Sequence, residues 1–208
     1  AKENELWNPV ITSSKDLKTV RYTLDNVHDF AFFAEKGYIV QSGSVILPHS
    51  GREIKLYTMY YPSNFKIWNN SIDYLRDAVY NYSLWNGDYP YDICTAVDGA
   101  IAAGGGMEYP TITVIGNCSD TVELDLVIAH EVGHNWFYGI LGTNERATGW
   151  MDEGVNSFNE MRYMQLKYGN LNMAEQLLPN LLAAKFPLTH KEMYRVVAQL
   201  TQQLGVQQ

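Results

Sequence analysis

Cysteine is nearly absent: Cys94 and Cys118 are the only two in 208 residues, so at most one disulfide can form. They flank a glycine-rich segment, and a bridge would need their Cα atoms within about 7 Å of each other. Free thiols are the expectation. Positive charge is in the minority, with 15 Lys and Arg against 23 Asp and Glu and a formal net charge of −8. Nucleic-acid binding needs a basic face to neutralise phosphates, so that class of partner is excluded. Long hydrophobic runs are missing too: no stretch approaches the roughly 18 apolar residues of a membrane-spanning helix. No internal repeat, low-complexity tract or interdomain linker interrupts the chain. Apolar side chains make up 46% of residues, which suits one globular domain with a substantial core.

The opening residues, AKENELWNPV, lack an initiator Met, a basic region and an apolar stretch, so the chain is expected to begin inside a longer protein. Asn69, Asn81 and Asn117 each open an Asn-x-Ser triplet. Such triplets matter only in a secreted eukaryotic protein, and chance accounts for all three. The Tyr- and Asn-rich composition leans instead toward an extracytoplasmic bacterial protein.

Apolar patterning predicts an extended stretch at Val20 to Asp25, then a hairpin of Tyr38 to Leu47 and Glu53 to Tyr61 around Pro48-His49-Ser50-Gly51. Ile72, Leu75 and Val79 mark a helix that Asn86-Gly87 ends, and Tyr91 to Val97 and Thr111 to Ile115 read as strands. Helical pattern follows from Asp120, which opens a capping-box-like start with Glu123 ahead of Leu124, Val127, Ile128 and Val132. A second helix carries Val155, Phe158 and Met161 and stops at Tyr168-Gly169-Asn170, and a last one runs from Thr189 toward Gly205. Strands followed by helices predict an α+β domain with a mixed β-sheet and a helical half, divided as 1–119 and 120–208 within one unit spanning 1–208.

The chemistry is concentrated where the chain reads HEVGHNWFYGILGTNERATGWMDE, residues 130 to 153. Residues four apart share a helix face, so His130 and His134 can point at one ion while Glu131 is turned about 100° away. Eighteen residues separate His134 from Glu153, far enough for the chain to loop back and supply a third ligand. Three protein ligands leave one tetrahedral position for water, the pattern of a catalytic zinc. One Zn2+ per chain, with Glu131 as general base on that water, predicts metal-assisted hydrolysis. Glu160 lies two turns beyond Glu153 on roughly the same face. It has two open readings, acceptor for the second N–H of a ligating His or solvated helix carboxylate. His28, His49 and His190 fall outside the motif and are assigned ordinary structural or surface roles.

Upstream, DGAIAAGGGMEYP (residues 98 to 110) places one carboxylate, Glu108, behind a run of glycines. Gly105-Gly106-Met107-Glu108, taken with the later His-Glu-x-x-His and Glu, resembles the aminopeptidase N and leukotriene hydrolase family of gluzincin zinc peptidases. Asn135-Trp136 after the second His is similar to some members as well. The resemblance implies a thermolysin-like catalytic domain. It also implies that Gly105, Gly106 and Met107 line an extended peptide as an edge strand does, and that Glu108 holds the substrate's free α-ammonium. The partners would then be peptides with a free N-terminus. Tyr109 departs from the family's usual Asn, and its ring cannot reproduce the amide's paired donor and acceptor.

Family members also place an oxyanion-stabilising tyrosine roughly sixty residues beyond the glutamate ligand, which here falls past Gln208. Tyr194 comes sooner, inside the predicted last helix, and reads as packing. The expectation is a catalytic-domain piece whose parent has further N- and C-terminal domains. By itself such a piece would be slowed about 10²–10³-fold in kcat by the missing donor. Two alternatives stay open: a thermolysin-type endopeptidase, which has no need of Glu108, and a non-catalytic binding domain on the same fold.

Overall fold

The computed structural model describes residues 16–99, 101, 105–147 and 149–169. The hairpin expected around Pro48 forms: β1 (Ile39–Ile46) pairs antiparallel with β2 (Glu53–Tyr60), Ile39 opposite Tyr60 and Ile46 opposite Glu53. Along β2 the period-two pattern is clean, with Ile54, Leu56, Thr58 and Tyr60 buried and Glu53 and Lys55 exposed. A short helical turn at Pro62–Asn64 leads into α1 (Phe65–Trp68) and the 16-residue α2 (Ser71–Asn86). Gly87 ends α2 with φ 93°, a backbone angle that costs a side-chain-bearing residue dearly.

From α2 the chain crosses to β3 (Ile93–Asp98), parallel to β2, as the helical crossover between parallel strands requires. The glycine-rich segment supplies β4 (Gly106–Tyr109), which turns through Pro110 and Thr111 into β5 (Ile112–Ile115). The sheet order is β1-β2-β3-β5-β4, with β5 parallel to β3 and antiparallel to β4, so β4 forms an outer edge among the described residues. This is the mixed sheet of an α+β domain. Beyond it come α3 (Thr121–Gly133) and α4 (Val155–Tyr168), joined through a kinked, irregular turn at Asn135–Ile140 and a wide π-helical turn at Trp150–Gly154.

Helix α2 packs on β1 and β2, α3 on β4 and β5, and α4 on α3. Leu56, Leu75, Tyr82, Ile115, Ile128 and Trp136 meet in the shared core, where fully burying each aliphatic side chain contributes about 1.5–3 kcal/mol. At the far end of the helices Asp125 is fully buried. It accepts from Tyr163 Oη at 2.7 Å and Tyr168 Oη at 2.5 Å, and pairs at 2.7 Å with Lys167. Lys167 also reaches Asp77 at 2.9 Å, tying α2, α3 and α4 together.

Val20 to Asp25, expected to be extended, forms no strand; Val20, Tyr22 and Leu24 are exposed. Its alternation finds no neighbouring edge among the described residues, and a lone strand has nowhere to place its backbone hydrogen bonds. Cys94 and Cys118 are free thiols, as the sequence led us to expect. Burial pushes both up to about 12, which makes them poor nucleophiles at neutral pH. No described helix is long and apolar enough to cross a membrane. The expected helix from Thr189, with His190 and Tyr194, lies outside the described residues.

Candidate metal centre

Helix α3 starts where its sequence says it should. Asp120 Oδ1 accepts from the backbone N–H of Val122 and of Glu123, both at 2.9 Å, an N-cap worth about 1 kcal/mol. Glu123 reaches back to Ser119, accepting from its N–H and its hydroxyl at 2.6 Å each. Leu124, Ile128 and Val132 bury one face, which turns His130 and His134 toward the chain that returns through Glu153.

The two rings stand edge to face, 4.8 Å between centroids and 83° between planes. Their Nε2 atoms are 3.1 Å apart, and Glu153 Oε2 lies 3.3 Å from that of His130 and 3.8 Å from that of His134. Ligands bound about 2.0–2.1 Å from a tetrahedral zinc are separated by about 3.3 Å. The three donors therefore already stand near the edge lengths of such a tetrahedron, and the site fits the ion by donor type and by spacing. His130, His134 and Glu153 form a cluster able to hold a metal ion.

Each imidazole has a carboxylate on its other nitrogen. Glu160 Oε2 is 2.7 Å from His130 Nδ1, and Asp152 Oδ1 is 2.7 Å from His134 Nδ1. Glu160 is buried on α4, which disposes of its solvated reading. Asp152 went unread in the sequence; its only signal was a second acid beside Glu153. Asn156 adds a further tie, donating from Nδ2 to the His130 carbonyl at 2.7 Å and joining α4 to α3.

Electrostatics follow from this crowding. Burial favours the neutral imidazole of His130, but hydrogen bonds to Glu153 and Glu160 outweigh it and hold the ring well above its ordinary range. The His134 ring is also raised, burial again being outweighed, this time by Asp152. Hydrogen bonding to His130 lowers Glu153 against the opposing effect of burial. Glu131 is only 4% exposed, and its Oε2 has no hydrogen-bond partner among the described residues. Burial, aided by the charges of Glu108 and Glu153 and opposed by both imidazoles, pushes its carboxyl up to about 7.

Strand β4 reaches the same place from the sheet. A Cβ on Gly106 would overlap the Glu131 carboxylate, so the bare Cα is what seats that side chain. Gly105 takes φ 69° at the strand's start, and Met107 is half-buried, its carbonyl accepting from Thr113 Oγ1 at 2.9 Å. The Glu108 carboxylate lies with His134 and Asp152, donor atoms within 4.8 Å of one another. Of the other histidines, His28 Nε2 lies 3.0 Å from the Gly139 carbonyl and His49 Nε2 3.0 Å from that of Ser83, both far from the cluster in role.

Fold and site together define an α+β domain whose glycine-rich edge strand faces a helix-borne His, His, Glu cluster. Among solved structures, the chain is similar to the M1 zinc metallopeptidase from Deinococcus radiodurans, with TM-score 0.51 and 18% identity over 70% of this chain and 33% of that one. A glutamate-to-alanine mutant of that enzyme gives TM-score 0.52 and 17% identity over 72% of this chain and 34% of that one. The mutant bound to a Tyr-Ser-Ala substrate gives 0.51 and 16%, over 69% and 33%. The chain thus spans about a third of the length of these structures, and the likeness is one of fold. No protein-family model and no curated protein matches the chain.

Proposed function

We propose that this chain carries the zinc centre of an aminopeptidase that hydrolyses the first peptide bond of substrates with a free N-terminus, on a thermolysin-like catalytic layout. The observation that carries the reading is the convergence of His130 Nε2, His134 Nε2 and Glu153 Oε2 within 3.8 Å of one another, beside a buried Glu131 whose Oε2 has no hydrogen-bond partner among the described residues. The motif resemblance and the fold likeness support it. When bound by those three residues, zinc supplies a Lewis acid that polarises a carbonyl and acidifies a water.

The chain's own residues would do the rest. Glu131, buried beside the cluster, accepts the proton of the attacking water and returns it to the leaving amine, a service worth about 10²–10⁴-fold in rate. The outer edge of β4 offers backbone N–H and C=O groups to an extended peptide, so main-chain pairing aligns the scissile bond. Glu108, on that strand and beside the cluster, takes the α-ammonium in a charge-assisted hydrogen bond.

The test is Glu108→Ala in the zinc-loaded full-length protein, with kcat/KM measured on aminoacyl and on N-blocked peptide substrates. Loss of a hydrogen bond to a charged group predicts about a 10–100-fold fall for the free-amine substrate and little change for the blocked one. Equal losses on both would place the protein with endopeptidases. Absence of both zinc and turnover in the wild type would leave a binding domain on this fold.

A further inference from the structure

A histidine can serve a metal through Nε2 only if its remaining proton sits on Nδ1, and a buried Nδ1–H needs an acceptor. His130 has Glu160 for that purpose and sits within helix α3. His134 is placed less securely. It is the residue that caps the C-terminus of α3, and just beyond it the backbone leaves helical geometry at Phe137 and Tyr138.

Two acceptors stand near its Nδ1: Asp152 Oδ1 at 2.7 Å and the Phe137 carbonyl at 3.3 Å. The carboxylate is both nearer and charged. Bulk water does not reach the pair, the side chains of His134 and Asp152 being 1% and 4% exposed. Local winding explains how Asp152 arrives there. Trp150–Gly154 is a π-helical turn, and its wider coil narrows the angle between successive side chains. Neighbouring residues thereby address opposite edges of one ring, Asp152 at Nδ1 and Glu153 toward Nε2.

We propose that Asp152 is the positioning residue that fixes His134 as an Nε2-directed metal ligand, as the second of two carboxylates that orient the imidazole pair. The inference rests on the metal-centre reading above. It acts through affinity and ligand geometry, whatever the substrate.

The experiment compares wild type, Asp152→Ala and Asp152→Asn in the full-length protein. Zinc affinity is read by competition with a chromophoric chelator, and the ligand field by the visible spectrum of the cobalt(II)-substituted protein. Removing the carboxylate is expected to weaken zinc about 10–100-fold and to change the cobalt spectrum, with Asp152→Asn recovering most of both because its amide oxygen still accepts. Wild-type affinity and spectrum in a folded Asp152→Ala variant would overturn the proposal. So would an Asp152→Asn variant no better than the alanine. A nitrogen-resolved NMR spectrum of zinc-loaded wild type adds a test free of folding effects: His134 must carry its proton on Nδ1, and an Nε2-protonated ring would refute the assignment. Failure of wild type to bind zinc would instead refute the underlying metal-centre reading.

Discussion

Glu131 is a carboxylate with almost no water around it, seated on the bare Cα of Gly106 and pushed up to about 7. Replacing it with Gln keeps its shape and removes its ability to take a proton. Glu131→Gln is therefore expected to lower kcat about 10²–10⁴-fold with one zinc per chain retained, checked by steady-state kinetics beside elemental analysis. Loss of zinc in this variant would mean that Glu131 is a ligand and another group the base. At this scale much of the candidate site was legible in the chain itself. His130, Glu131, His134 and Glu153 follow from helix spacing and loop length, and the position of Glu160 follows from counting two turns beyond Glu153. Asp152 was illegible because its reach to His134 depends on a wide turn that no local residue pattern announces. The seat that Gly106 provides was equally hidden, since it is a contact between strand and helix 25 residues apart in the chain.

Between elements, the tightest constraint is where α3 meets α2 and α4. A Cβ on Gly133 would overlap Asn156 Oδ1 and the Tyr82 ring, and the same Asn156 binds the His130 carbonyl. Gly133→Ala should push these helices apart, at an overpacking cost of about 1–3 kcal/mol. A lower Tm with weakened zinc affinity is the expected result, because the ligands lie on both sides of the crossing. An unchanged Tm would show that Tyr82 and Asn156 yield without cost. The hairpin, α2, α3 and α4 were readable from apolar period and stop signals, and Gly169 does end α4 with φ 62°. The break after His134 was not readable, since long-range bonds hold it. Trp136 Nε1 donates to the Gly87 carbonyl at 2.7 Å, and His28 lies 3.0 Å from that of Gly139. Val20 to Asp25 joins no ladder among the described residues for the converse reason, because local pattern can mark an extended stretch without supplying its neighbour.

Across the whole molecule, the donors come from α3 and from the turn before α4, so a bound ion would clamp two helices that also carry the sheet's edge strand against Glu131. At a thousandfold excess over Kd such binding adds about 4 kcal/mol to the folded state. The size of that increment depends on pH through the groups it touches. His130 has a raised pKa, so its contribution in the metal-free protein is complete below its ordinary value and is lost as pH rises through the raised one. Glu131 is raised from 4.5 to about 7, so the folded state holds its proton more tightly and loses stability as pH climbs across that interval. Glu153 acts oppositely, its lowered pKa giving stability above its ordinary value that is lost as pH falls through the lowered one. From pH 5 to 8 the first two dominate, and the Tm of chelator-treated protein should fall. Zinc must displace the proton of His130, so its affinity rises over the same range. Calorimetric scans with zinc and with chelator should therefore diverge, the zinc-induced rise in Tm being small at pH 5.5 and large at pH 8. In metal-free Glu131→Gln the decline toward pH 8 should be shallower, by up to about 3 kcal/mol in stability. A zinc increment that did not vary with pH would mean that His130 carries no Nε2 proton for the metal to displace, and its hydrogen bond to Glu153 would have to be redrawn, while that from Nδ1 to Glu160 would stand.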